Sequence, residues 1–367
     1  MSEGRADPIV TDALIIGAGP VGLFQVFELG LQDIRAHVVD ALPHPGGQCT
    51  ELYADKPIYD IPALPVATGR ELVERLLQQI APFAPQLHLG QEVASLQKLA
   101  GDDGRTVFAV ETTKGLRFHA RTVFIAAGVG AFVPRRLKLD GIEAFEDSQL
   151  FYRAPSDEAF AGRHLVIVGG EDAAVDAAIR CAEPGLNKAA SVTLVHRRDT
   201  FAAPAAQLAR LQLLRDSGAL RVVAGQPTAI EHDGGVLKAL QVDTPDDGTQ
   251  SLPLDALLVC WGLSPKLGPI AKWGVALERR QVIVDTKKFE TSEPGIYAVG
   301  DVNTYTGKRK LILCGFHEAT LAAFGAAARL RPDDSHQTLY TTSSPKLRKL
   351  LGVAPPDDAA SSGTTGG

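Results

Sequence analysis

Two strand–glycine turn–helix–strand units in one chain predict an α/β protein with two Rossmann-like dinucleotide-binding domains, in three layers of the ββα type. The first unit spans Ala13 to Asp40 and the second His164 to Arg198. A third observation sets the layout: a strand closing on Gly300-Asp301 lies far downstream of both units, where it is expected to complete the first domain's sheet. The second domain is then an insertion. Residues 1–132 and 284–353 are expected to form the first domain, residues 133–283 the inserted one, and residues 354–367 a disordered polar tail.

In the first unit, Ala13-Leu14-Ile15-Ile16 is an apolar run suited to a buried parallel strand. It leads into Gly17-Ala18-Gly19-Pro20-Val21-Gly22, and apolar residues at helical spacing follow. His37-Val38-Val39 reads as a second strand that ends in Asp40. Each residue type suits a phosphate-binding turn. Gly17 permits the tight turn, Gly19 lets the backbone approach a pyrophosphate, and Gly22 lets helix and strand pack closely. The same turn holds Pro20. Free N–H groups and the dipole at the helix N-terminus favour the anion. Asp40 supplies acceptors for both hydroxyls of an adenosine ribose.

The second unit begins with the strand Leu165-Val166-Ile167-Val168, followed by Gly169-Gly170-Glu171-Asp172-Ala173-Ala174 and a helix to about Cys181. The next strand, Val192-Thr193-Leu194-Val195, ends in His196-Arg197-Arg198 rather than an acid. Arginine suits a 2′-phosphate, so this unit points to NADP rather than NAD; the plainer alternative is a solvated basic turn. One site for a free ribose and one for a phosphorylated ribose suggest FAD together with NADPH. In Gly295-Ile296-Tyr297-Ala298-Val299-Gly300-Asp301, the Asp301 carboxylate is placed to accept a hydrogen bond from a flavin ribityl hydroxyl.

Composition excludes several classes. Lys plus Arg total 37 against 43 Asp plus Glu, a net charge of −6, whereas a general nucleic-acid binder would carry a basic excess. Cys49, Cys181, Cys260 and Cys314 are far apart and make no disulfide framework or zinc pattern, which fits a reducing cytoplasm. No apolar run is long enough for a membrane span and no targeting segment is visible, so a soluble cytoplasmic protein is expected. None of the nine histidines forms an HxxxH or HExxH pair, so no metal site is expected.

Taken in order, these motifs resemble the thioredoxin-reductase-like ferredoxin/flavodoxin–NADP reductases, compact homodimeric flavoenzymes of many bacteria. The resemblance rests on the first fingerprint with Gly46-Gly47-Gln48, on Lys56-Pro57-Ile58-Tyr59-Asp60, and on Ala126-Ala127-Gly128-Val129-Gly130-Ala131-Phe132. His196-Arg197-Arg198-Asp199, the Trp261–Pro269 segment and Gly300-Asp301 complete it, over about residues 12–353. It implies an enzyme that uses FAD and NADP(H), with ferredoxin or flavodoxin as partner and no catalytic side chain beyond those that hold the flavin. It further implies that Asp40, Gln48 and Tyr53 contact FAD, that Val93 lies at the adenine, and that Phe132 and Asp301 complete the cradle. Tyr59 is implied to stack on one flavin face, with core packing as the plainer alternative. Tyr340 would cover the other face, often from the partner subunit, with Thr342 near flavin N5.

Thioredoxin reductase shares the two-domain plan but needs a CxxC just before the second unit. Here Ser148 to His164 contains no cysteine, which removes the dithiol relay. One position departs from the resembled family: Glu171 stands where the fingerprint's middle glycine would let backbone approach the pyrophosphate. Either its side chain turns away or NADPH binds more weakly. Two alternatives stay open at this level: a different acceptor such as quinone or ferric chelate, and an FAD-binding protein whose NADP site has decayed. Basic clusters at Arg135-Arg136-Leu137-Lys138, Lys308-Arg309-Lys310 and Lys346-Leu347-Arg348-Lys349 are candidates for steering an acidic partner.

Overall fold

The computed structural model describes residues 7–101, 104–153, 157–185, 188–334 and 341–353, with the backbone alone at 131–134, 157, 263–266 and 343. The chain divides into two compact units, Met1–Ala131 with Lys266–Gly367, and Phe132–Pro265.

The first unit opens with strand β1 (Ile9–Ile16), helix α1 (Pro20–Leu31) and strand β2 (Ala36–Val39). Pro20 occupies the first turn of α1, where its missing N–H costs nothing and its fixed φ suits the helix. A single-turn helix α2 (Gln48–Glu51) and α3 (Gly69–Ile80) follow. Thr68 and Glu71 start α3 with a reciprocal capping box: Thr68 Oγ1 accepts from the Glu71 N–H at 3.2 Å and Glu71 Oε2 from the Thr68 N–H at 2.8 Å. Then come β3 (Gln86–His88), β4 (Val93–Ala100), β5 (Thr106–Thr112) and β6 (Arg117–Ile125).

In the second unit, β7 (Leu150–Phe151), β8 (His164–Val168), α4 (Asp172–Ala182), β9 (Ser191–His196), α5 (Ala205–Asp216) and β10 (Arg221–Ala224) lead into a three-stranded antiparallel sheet. That sheet is β11 (Gln226–Asp233), β12 (Val236–Thr244) and β13 (Gly248–Pro253), and β14 (Ala256–Val259) returns to the first sheet. The parallel sheet has the order β7-β14-β8-β9-β10. Alternate residues of β8 face opposite layers. Leu165 and Ile167 join the cluster with Val175 and Ile179 of α4 and Leu211 and Leu214 of α5, while Val166 and Val168 join Leu240, Val242 and Leu252 of the antiparallel sheet. The apolar run at 165–168 is continuous because both its faces are covered. Helices, parallel sheet and antiparallel sheet make the three layers.

The chain then completes the first unit with β15 (Ile296–Ala298), α6 (Ile312–Leu330) and α7 (Pro345–Leu351). The first unit's sheet has the order β3-β2-β1-β6-β5-β4. Strand β6 changes partner along its length: residues 117–120 pair antiparallel with β5, and Val123–Ile125 pair parallel with β15. Phe124 and Tyr297 stack across that second pairing with ring centroids 4.9 Å apart. Parallel strands β2, β1, β6 and β15 therefore end on the same side, where loops after them converge.

The sequence placed the second domain boundary after residue 283, and the structure moves it to Pro265. The reason is packing: Ile270, Trp273, Val275 and Val282 belong to the first unit's core, and Gln281–Ile283 pairs with Asn303–Thr304.

Candidate functional site

Each unit carries a site at the carboxyl ends of its parallel strands, the position where open α/β sheets bind ligands. In the first unit, the Gly17 N–H donates to the Val39 carbonyl at 2.8 Å and ties the turn after β1 to the end of β2. Gly17 has φ +114°, and a Cβ there would lie 2.4 Å from the Ala126 carbonyl oxygen. A Cβ on Gly22 would lie 1.9 Å from the Gly17 carbonyl oxygen. The fold itself demands these two glycines. Gly19 is different: its φ is −71°, and among the described residues nothing stands within 4 Å of where its Cβ would be. Open space over an uncapped helix N-terminus is a cradle that a side chain would fill and a pyrophosphate fits.

Asp40 follows β2 and lies under this turn. Its Oδ2 accepts from the Ala18 N–H at 2.5 Å and its Oδ1 from the Leu42 N–H at 2.8 Å. Burial pushes its carboxyl above the usual range, and those two N–H donors and His44 oppose the rise. Each oxygen keeps one further lone-pair position, enough for two ribose hydroxyls. Val93 starts β4 two residues after Gln91, whose N–H donates to the Asp40 carbonyl at 2.8 Å; Val93 is itself buried in the core.

Gln48 opens α2, and its Nε2 donates to Asp301 Oδ2 at 3.3 Å. Asp301 stands in the turn after β15, so the bond joins the two halves of the discontinuous unit at the cradle. Tyr53 lies beside them. Burial raises its phenol pKa, and Cys49, Asp301 and Asp60 add to the rise, which keeps the hydroxyl protonated. Tyr59 is 71% exposed, which rules out the core-packing alternative. Among the described residues no contact joins Thr342 to this cradle. Its carbonyl accepts from Arg348, and the segment after it docks on the far end of α1, where Lys346 bonds the Gly30 carbonyl and the Asp33 carboxylate. That end lies about 18 Å from the turn at Gly19, the rise of a twelve-residue helix. Tyr340 lies outside the described residues, and of Phe132 only the backbone is described.

In the second unit, a cleft of about 730 Å³ opens at the ends of β8, β9, β10 and β14. Gly170, Glu171, His196, Arg197 and Arg198 line it, and so do Arg135, Cys260 and Trp261, which sequence reasoning had not placed there. A Cβ on Gly169 would lie 2.6 Å from the Cys260 carbonyl oxygen, and one on Gly170 would lie 2.3 Å from His196 Nε2. The His196 ring thus covers Gly170. Its Nδ1 sits 3.0 Å from both the Arg198 and Thr200 carbonyls, which only accept, so Nδ1 carries the proton. His196 buckles the turn that presents the two arginines. Arg197 and Arg198 are exposed, with no ion-pair partner among the described residues. Glu171 caps α4 with its backbone, and its Oε2 points to the Gly262 side, 3.8 Å from where a Cβ on Gly262 would be. Its carboxylate leaves the helix N-terminus yet still lines the cleft. Burial pushes the Cys260 thiol up to about 11, so it stays protonated.

The basic clusters are less free than the sequence suggests. Lys308 is buried against Glu318, Arg136 pairs with Glu146, and Lys346 pairs with Asp33. Among the described residues no helix is long and apolar enough to cross a membrane.

Comparison with known proteins places the chain. Residues 11–322 match the family model described as pyridine nucleotide-disulphide oxidoreductase. The chain is 59% identical over 354 residues to a ferredoxin–NADP reductase of Albidiferax ferrireducens, covering 96% of this chain and 99% of that one. It is 61% identical over 356 residues to a ferredoxin–NADP reductase of Paracidovorax citrulli, covering 94% and 97%. Among solved structures it is similar to the thioredoxin reductase of T. acidophilum, with TM-score 0.59, 22% identity and 88% and 99% coverage. It is also similar to the bacillithiol disulfide reductase of Staphylococcus aureus, with TM-score 0.61, 16% identity and 89% and 100% coverage. Those two likenesses bear on the fold alone. The chain belongs to the pyridine nucleotide-disulphide oxidoreductase family, among its members named ferredoxin–NADP reductase.

Proposed function

We propose that this chain is an FAD-dependent oxidoreductase that moves electrons between NADPH and ferredoxin or flavodoxin. The observation that carries the reading is the contrast between its two strand ends. Asp40, an acceptor for free ribose hydroxyls, follows β2 in one unit, while Arg197 and Arg198, exposed and without an ion-pair partner among the described residues, follow β9 in the other. When bound, FAD supplies what side chains cannot: two-electron exchange with a nicotinamide and single-electron exchange with a protein partner.

The residues bind and orient. In the FAD unit, the turn of Gly17, Gly19, Pro20 and Gly22 receives the pyrophosphate, Asp40 and the Val93 segment hold the adenosine, and Gln48, Tyr53 and Asp301 hold the flavin side. Exposed Tyr59 covers one face of the flavin ring. In the NADP unit, Gly169 and Gly170 open the helix end of α4, His196 holds the turn, and Arg197 and Arg198 grip the 2′-phosphate. The docked α7 segment keeps Thr342 with the far end of α1, so Thr342 serves the flavin of a second copy in a homodimer, and the resemblance gives Tyr340 the place opposite Tyr59. The lack of cysteine between Ser148 and His164 favours a protein electron acceptor over a disulfide relay.

Purified protein reduced with NADPH is to be paired in turn with each ferredoxin and flavodoxin of the host. Rapid reduction of one of them supports the reading. Reduction of quinone or ferric chelate alone would replace the acceptor.

A further inference from the structure

Lys308 and Glu318 form an ion pair with Nζ 2.5 Å from Oε1, and their side chains are 7% and 0% exposed. Two charges removed from water are costly unless geometry and further hydrogen bonds compensate them. Here four donors converge on Glu318. The Gly300 N–H at 2.7 Å and Asn303 Nδ2 at 2.8 Å reach Oε2, while the Tyr305 hydroxyl at 3.0 Å and Lys308 Nζ reach Oε1. Lys308 Nζ makes a second bond to the Gly300 carbonyl at 2.8 Å. The N–H and the carbonyl of one residue are therefore gripped by opposite members of one buried ion pair.

That residue is the hinge of the cradle. Gly300 has φ +79°, and glycine's wide choice of backbone angles means that surrounding contacts must hold it there and so set the direction of the next residue. The next residue is Asp301, whose Oδ2 accepts from Gln48 Nε2 at 3.3 Å. Gln281 Nε2 adds a bond to the Asp301 carbonyl at 3.3 Å. A Cβ on Gly315, in the first turn of α6, would lie 2.4 Å from Val21 Cγ2 and 3.4 Å from Gly300 Cα, so α6 and the α1 N-terminus close on the same glycine. Glu318 sits one turn further along α6 and ties that helix to the turn.

We infer that Lys308 and Glu318 are positioning residues, whose ion pair locks the Gly300 peptide and thereby aims the Asp301 carboxylate into the FAD cradle. The inference rests on the role proposed above for Asp301. Removing one partner leaves a buried unpaired charge, whereas removing both leaves none, so the charge-free K308M/E318Q variant is the informative one.

The test strips the full-length protein of flavin and titrates FAD back, following flavin fluorescence, with NADPH affinity measured in parallel. K308M/E318Q is expected to keep its circular dichroism and to hold NADPH within about two-fold of wild type, because that site is built by the residues of the other compact unit. Its FAD dissociation constant should rise about ten-fold or more, as expected for lost bonds to charged groups. In an Asp301→Ala background the same double change should alter FAD affinity by less than about three-fold, since residues acting through one another do not add. If K308M/E318Q does not fold, Lys308→Arg decides: it keeps the charge but replaces the compact ammonium that bridges two oxygens, and weaker FAD binding with unchanged NADPH binding is expected. Unchanged FAD affinity in the folded variant, or a full effect that persists without Asp301, overturns the inference. A wild-type chain that takes up no FAD overturns the proposed function and this inference with it, whereas an Asp301→Ala variant that binds FAD normally overturns the role of Asp301 and this inference alone.

Discussion

Gln48 Nε2 donates to Asp301 Oδ2 at 3.3 Å, across 253 residues of sequence. The bond closes a discontinuous unit on itself at the point where its two strand-end loops meet. Gln48→Ala removes a donor to a carboxylate and frees Asp301 to turn, so FAD affinity should fall about ten-fold. Fluorescence titration of flavin-free protein measures it. A Gln48→Ala protein with wild-type affinity would mean that the bond does not shape the cradle.

The glycines of the first turn separate folding from binding. Gly17→Ala forces a Cβ against the Ala126 carbonyl at φ +114°, and should destabilise the protein by about 3 kcal/mol or more. Gly19→Ala meets nothing among the described residues, so its melting temperature should stay near wild type while FAD affinity drops about ten-fold or more. Thermal melts of flavin-free protein, set beside FAD titrations, distinguish the two. Equal loss of stability in both variants would contradict the open space over Gly19.

Nucleotide preference should reside in Arg197 and Arg198. Replacing either with alanine should raise KM for NADPH about ten-fold and leave KM for NADH unchanged, because only the 2′-phosphate contact is lost. Glu171→Gly should act in the opposite direction and lower KM for NADPH, by removing a carboxylate from the cleft. An unchanged KM in Glu171→Gly would show that its turn toward Gly262 already spares the phosphates.

Stability should fall on acidification through His37 and His88. Nδ1 of His37 and Nε2 of His88 are 2.9 Å apart in stacked rings, a contact that needs one bare nitrogen. Burial holds both imidazoles below their usual pKa, and for His37 the neighbouring His88 adds to this. A folded pKa below the unfolded value gives stability that is present above about pH 6.5 and lost as pH falls through the folded values. Urea midpoints taken from neutral pH down to about pH 5 should decline, and His37→Gln should flatten the slope. Parallel slopes for the two proteins would remove the pair from the acid response.

The strands that carry the two sites were legible because they are buried on both faces. Expected at 165–168 and 192–195, they occur at His164–Val168 and Ser191–His196. The sheet of β11 to β13 left no such run, because exposed polar residues interrupt its strands. The allegiance of residues 266–283 was hidden for another reason: Trp273 and Val275 are apolar residues that either core could have claimed. Lys308 illustrates the limit most sharply. Between Gly307 and Arg309 it reads as one more surface charge, and only the fold brings Glu318 and Gly300 to it. Arg135 and Trp261 line the cleft of the second unit, although the sequence marked them only as parts of a basic cluster and of a resembled segment.

Anaerobic mixing with NADPH, followed by addition of oxidised ferredoxin, tests the electron path most directly. The two sites predict prompt bleaching of the visible flavin band, then its return as ferredoxin is reduced. A flavin band that stays unbleached at millimolar NADPH would contradict it.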